Sequence, residues 1–192
     1  SDRSTYKLLG GSIGFYGSTL NTRQYATKGY LEKLIAQVFT GRERFEPGNP
    51  QEGYSPSPQE RQSWLQISYM KEAYHTMGPK FTLGWMAEAL YSSKNFSENY
   101  TATMMQAGEF APTPHSKLMY NEAFRANQYV AAGIKPIYVL NDMFQFRTEF
   151  YGFTPIFPIK KNALNKAYYG KAFSRFEYMG EVSVICHLPF GA

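Results

Sequence analysis

The chain has 192 residues, with 20 Lys+Arg against 15 Asp+Glu and a formal charge of +5. Lys160-Lys161 is its only adjacent basic pair, so there is no nucleic-acid footprint, and a single thiol, Cys186, cannot close an internal disulfide. No run of about 18 apolar residues offers a membrane helix, while 16 Tyr and 15 Phe supply the amphipathic rings that gather at membrane interfaces.

The first predicted strand spans 5–18. Its Gly10, Gly11, Gly14 and Gly17 mark bends, bulges or close approach of other segments. Gly10-Gly11-Ser12-Ile13-Gly14 also matches Gly-x-Ser-x-Gly, the nucleophile elbow of serine hydrolases. That elbow needs a strand, a sharp turn and a helix, whereas Phe15-Tyr16-Gly17-Ser18 reads as more strand. Ser12 is therefore a weak catalytic candidate, and an inward-facing strand position is the stronger reading. Residues 29–43 fit either a strand or an amphipathic helix.

The alternation sharpens from 62–75, where Leu65, Ile67 and Tyr69 oppose Gln66, Ser68 and Glu72. After the tight turn Thr76-Met77-Gly78-Pro79, the strand 80–92 sets Phe81, Leu83 and Trp85 against Thr82, Gly84 and Glu88. A long connection through Ser97–Asn127 carries Pro112, Pro114 and a predicted short helix over Ser116–Arg125. Strands 129–140 and 144–154 flank the tight link Asn141-Asp142-Met143. In the second of these, Phe144, Phe146 and Phe150 oppose Gln145, Arg147 and Glu149. Another long connection, Phe153–Ala172, precedes a last strand at 174–188, with Cys186 on its apolar side.

These elements describe an antiparallel up-and-down sheet, apolar on one face and charged on the other. Short and long links alternate, so one end of the sheet is trimmed and the other elaborate, as in outer-membrane barrels. The mean hydropathy of −0.43 is compatible with that, because half of each strand and all loops are polar. The expected fold class is all-β: about seven strands of a larger transmembrane β-barrel, forming one domain over 1–192. Leu65, Ile67, Leu83, Trp85, Phe146 and Phe150 would face lipid. Glu88, Lys135, Arg147, Glu149, Glu177 and Glu181 would face the lumen and pair there. Arg125, where the longest loop rejoins the sheet, would dock on an inward carboxylate, with Glu149 and Glu181 the candidates by parity. His75, His115 and His187 lie at no metal-ligand spacing, and no phosphate-cradling loop is present, so no metal or cofactor is expected. A soluble lipid-binding β-barrel with the apolar face inward, or a serine esterase using Ser12, are the alternatives from other classes. No signal peptide opens the chain, and Pro189-Phe190-Gly191-Ala192 ends it just after a strand, so the expectation is a segment of a longer exported protein.

Several segments resemble one family. Thr19–Gly29, Asn99-Tyr100-Thr101-Ala102-Thr103, Phe110-Ala111-Pro112-Thr113-Pro114, Phe124-Arg125-Ala126 and Gly170-Lys171-Ala172-Phe173-Ser174 are similar to parts of the BamA-type outer-membrane superfamily. They most resemble the C-terminal barrel of bacterial patatin-like phospholipase fusion proteins. The resemblance implies an upstream hydrolase domain holding the catalytic Ser and Asp, a small periplasmic domain, and a barrel in the outer membrane of a Gram-negative bacterium. It implies that this chain anchors, and exports or positions, that hydrolase without being an enzyme itself, with outer-membrane lipid as its partner. It assigns the lumenal loop arginine to Arg125, although the superfamily has Arg-Gly where this chain has Arg125-Ala126. Five strands usually follow that loop and only three follow here, so two closing strands are expected beyond the chain.

Overall fold

The computed structural model describes residues 3–46, 60–141 and 143–186. Its strands and one helix are, in chain order, β1 (Arg3–Ser18), β2 (Gly29–Glu46), β3 (Glu60–Thr76), β4 (Phe81–Ser92), α1 (Tyr100–Gln106), β5 (Gly108–Glu109), β6 (Arg125–Ala126), β7 (Gln128–Val139), β8 (Phe144–Pro155), β9 (Ile159–Lys161), β10 (Ala167–Tyr169) and β11 (Glu177–Cys186). Seven of these build one sheet in the order β1-β2-β3-β4-β7-β8-β11. Every neighbouring pair is antiparallel. The sheet is an open meander with β1 and β11 at its edges, not a closed barrel.

The run 30–37 has helical periodicity, yet it is strand. Leu34 stands beside Phe15 on one side and Tyr69 on the other. Pairing along both edges satisfies its backbone and matches apolar neighbours on one face, which outweighs local propensity. The helix predicted over Ser116–Arg125 does not form. That stretch holds two 3-10 turns, Ser116–Leu118 and Glu122–Phe124, and Arg125 already belongs to β6. The helix lies earlier, at α1, where the Asn99 side chain accepts a hydrogen bond of 2.7 Å from the Ala102 amide. Asn99 is thus an N-cap that releases the chain into a helix. The last strand begins at Glu177 rather than 174. His187 and the chain end beyond it lie outside the described residues, as do Asp142 and most of the connection 44–60.

The links sort as the alternation requires. Segments 19–28, 77–80 and 140–143 lie at one end of the sheet, and segments 93–127 and 156–176 lie at the other. The long connections fold back on the sheet. Phe110 and Phe124 join Met86, Leu90, Tyr129, Tyr151 and Phe153 in the main core. The face they cover is the inner face; the opposite face is the outer face.

Candidate functional site

The inner face between β3 and β8 is built in tiers. At the short-link end, the connection between β1 and β2 folds in, so that Ala26 packs with Tyr74 and Ile137. Arg147 donates 3.1 Å to the Ala26 carbonyl and 2.9 Å to the Tyr74 hydroxyl.

Above this lies a polar tier. Arg147 is paired with Glu149 at 2.5 Å, and the Tyr151 hydroxyl donates to the same carboxylate at 2.5 Å. Lys135 is paired with Glu72 at 2.9 Å, and the Tyr74 hydroxyl also donates to Glu72. Two cations thus meet two carboxylates, and Arg147 with Tyr74 joins the pairs into one network. Such a network holds its charges only while every member is satisfied. Two glycines make room for it. Gly84 stands between Tyr74 and Lys135, and a Cβ there would come within 2.6 Å of the Tyr74 ring. Without that side chain, Lys135 reaches across β4 to Glu72. Gly133 does the same for Tyr151, whose ring lies 2.2 Å from where a Cβ would stand.

The next tier is aromatic. Phe110 stacks on Phe153 with centroids 5.9 Å apart, and meets Tyr129 and Tyr151 edge-on. Tyr129 donates 2.6 Å to Glu88 and 3.1 Å to the Glu109 carbonyl. A lid of α1 and the β9–β10 hairpin closes this end, through Tyr100, Met104, Ala107 and Ile159.

The predicted lumenal charges therefore all stand on the inner face, with partners that differ in part from expectation. Arg147 and Glu149 pair with each other. Lys135 takes Glu72, and Glu88 takes Tyr129. Glu181 receives the exposed loop residue His115 at 2.9 Å. Glu177 pairs with Arg175 at 2.7 Å. Arg125 meets neither Glu149 nor Glu181, because both have other partners. It pairs within its own loop with Glu109 at 2.6 Å. Its Nη1 reaches the Met105 and Ala107 carbonyls at 3.2 and 3.3 Å, and its guanidinium lies 4.8 Å from the Tyr120 ring centroid. Arg125 thus satisfies the open C-terminal carbonyls of α1 and fixes that helix to β5 and β6.

Sequence reasoning missed Glu72, Tyr74 and Tyr151 as network members, although their parity marks the inner face. It also missed Lys94. This lysine is nearly buried just past β4, with its amine 4.7 Å from the Trp64 ring centroid and 5.7 Å from that of Tyr6. Burial pushes its pKa down to about 8, against the opposing pull of Glu43.

Ser12 lies in the middle of β1 opposite Gln37, and strand continues through Ser18 with no helix following. The strand-turn-helix of a nucleophile elbow is absent at this site. Among the described residues, no group of three or more His, Cys, Asp or Glu is placed to hold a metal ion.

No protein-family model matches the chain. Comparison with curated proteins finds no match, and neither does comparison with solved structures.

Proposed function

We propose that this chain is the wall of an outer-membrane β-barrel, incomplete as it stands, with its outer face in lipid. The observation that carries this reading is the shape of the apolar belt on the outer face. On β8 and β11 the belt runs over Phe144–Phe150 and Tyr178–Cys186, and the register sets Phe146 beside Tyr138 and Phe81. On β1 to β3 the belt is fenced. The Glu32–Lys71 pair at 3.7 Å bounds it on one side, and Lys7, Arg42 and Arg61 bound it on the other. Between these fences lie Leu9–Phe15, Leu34–Val38 and Leu65–Tyr69, and Tyr69 stands beside Ala89 of β4. The short-link border thus moves from Phe81 to Ala89 across the sheet. That drift takes place between β8 and β3, so the belt runs obliquely to the strands. An oblique belt is what tilted strands present where they cross a flat hydrocarbon slab in a barrel.

Ile13, Val38, Phe150 and Val184 are 77%, 61%, 54% and 65% exposed, so this face has no cover of its own. A soluble lipid carrier would need an apolar hollow on the inner face, where this chain has ion pairs and loop aromatics. The finer reading rests on the loop and turn segments that resemble patatin-fusion barrels: the wall anchors an attached hydrolase and performs no chemistry itself.

The test is refolding of the chain into phospholipid vesicles, with single fluorophores placed by cysteine substitution and quenched from the lipid phase. Positions Ile13, Leu34, Ile67, Ile134 and Val182 should be quenched, while Arg61 and Gln37 should not. A chain that stays monodisperse without detergent, with all of these positions open to aqueous quenchers, would defeat the proposal.

A further inference from the structure

On the outer face of β1, β2 and β3, three cations stand side by side. Lys7 is the register partner of Arg42, and Arg42 is the register partner of Arg61. All three side chains are exposed. Among the described residues none of them makes an ion pair, whereas the neighbouring Arg44 is matched by Glu46 at 3.0 Å. Like charges directly opposite on adjacent strands repel, so this row is held together by the sheet and lacks its counter-charge. The row borders a shallow hollow of about 740 Å³, lined by Lys7, Leu9, Thr40, Arg42 and Arg61 among others.

The polarity below the row is ordered. One step toward the short-link end, Thr40 and Ser63 share a hydroxyl hydrogen bond of 2.9 Å beside Leu9. The next step is Gly11, Val38 and Leu65, and the one after it is Ile13, Ala36 and Ile67. Cation row, hydroxyl pair and aliphatic strip follow one another in the sequence of an anionic lipid: phosphate, polar linkage, acyl chain. At Gly11 a Cβ would meet nothing within 4 Å, so this glycine and the small Ala36 leave open surface between Leu9, Ile13 and Val38.

We propose that this strip is a binding site for a phosphate-bearing membrane lipid, with its phosphates on Lys7, Arg42 and Arg61 and its acyl chains along Leu9, Ile13, Val38 and Leu65. Paired residues on adjacent strands have Cβ atoms about 5 Å apart, so the row spans roughly 10 Å. That width suits a headgroup with two phosphates better than a single small anion. The proposal rests on the membrane reading and adds to it a preferred lipid at one place on the wall, in the leaflet at the long-link end.

The test uses the full chain refolded in neutral detergent and titrated with diphosphorylated lipid A, phosphatidylcholine or inorganic phosphate, with adducts counted by native mass spectrometry. Wild type should retain lipid A saturably, and neither phosphatidylcholine nor millimolar phosphate should displace it. Arg42→Gln should weaken retention by about fivefold, and the triple variant Lys7→Gln, Arg42→Gln, Arg61→Gln by roughly a hundredfold, as expected for successive loss of cations near a headgroup. The control variant Lys160→Gln, Lys161→Gln, altered in the β9 loop region, should bind as wild type. Removing mutual repulsion should leave the triple variant folded, which its far-ultraviolet dichroism checks. Equal retention by wild type and triple variant, equal loss in the control, or full displacement by inorganic phosphate would overturn the site. A protein that does not enter micelles at all would instead overturn the membrane reading beneath it.

Discussion

The inner face is not uniform from one edge of the sheet to the other. Over β3, β4, β7 and β8 it is filled: Tyr129, Phe153 and Ile137 are almost wholly buried, and the connections 93–127 and 19–28 supply the cover. Over β1 it is bare: Leu8 and Tyr16 are 49% and 66% exposed, and Gly10, Ser12 and Gly14 lie open between them. The filled side carries its own loops and its own counter-charges. On the bare side only Tyr6, near the start of β1, is engaged by a connection, through Ser97 and Lys94; from Leu8 to Tyr16 no connection covers the strand. A sheet whose interior is complete on one side and vacant on the other is organised around the loops, and its stability should be distributed in the same unequal way.

The largest expected contrast is between two aromatic residues of the inner face. Phe153→Ala opens a hole in the aromatic tier and should destabilise the chain by about 3–5 kcal/mol, whereas Tyr16→Ala on the bare side should change stability by roughly 0.5 kcal/mol. Urea unfolding in micelles, followed by tryptophan fluorescence, measures both, and equal effects would erase the distinction. Next is Lys135→Met, which leaves the mostly buried Glu72 without its paired cation, held by the Tyr74 hydroxyl alone, and should cost roughly 3 kcal/mol. Adding Glu72→Gln should restore much of that loss, and a purely additive double variant would show that the pair does not act as a unit.

Arg125→Ala should have a smaller and more local effect, about 1–3 kcal/mol, because it frees Glu109 and the last carbonyls of α1. Limited proteolysis should then cut the 97–124 connection while the strands stay protected. Cleavage that spreads equally through β8 would show that Arg125 supports the wall and not just the loop.

Lys94 provides a pH test at the join of the two sides. Its folded pKa, about 8, lies below the ordinary value of 10.5. Between these values the unfolded chain binds more protons than the folded chain, so stability should rise as pH goes from about 8 toward 10. Lys94→Met should flatten that rise, and an unchanged slope would place the titration elsewhere. The smallest effect expected is that of Ser12→Ala, which should alter neither stability nor any ester hydrolysis by the chain. Loss of such hydrolysis would revive the esterase alternative.

The distinction between filled and bare was only half visible in the sequence. Parity assigned Glu88, Lys135, Arg147 and Glu149 to a common face, because period two is a property of each strand alone. Their partners were not visible, because pairing depends on how far neighbouring strands slide past one another. Lys135 meets Glu72 only because Gly84 leaves a gap in the strand between them. Arg125 was singled out for its position at the return of the long loop. Its partner Glu109 and the α1 carbonyls come from the same loop, and no periodic pattern announces such contacts. The segment 30–37 shows the opposite case: an ambiguous local signal, strand or helix, that pairing on both edges decided for strand.

The inward fold of residues 19–28 has a consequence for the order of assembly. Each neighbouring strand pair in the meander is joined by one connection of its own, so the wall can be laid down hairpin by hairpin with short closures. The contacts from Tyr25 and Ala26 do not obey that rule, since they reach Gln145 and Arg147, 120 and 121 residues further along the chain. An early turn therefore waits, unsatisfied, until β8 is in place. Its docking is a late event that reports completion of the strands between, and a chain stalled before β8 would leave this turn open to proteases.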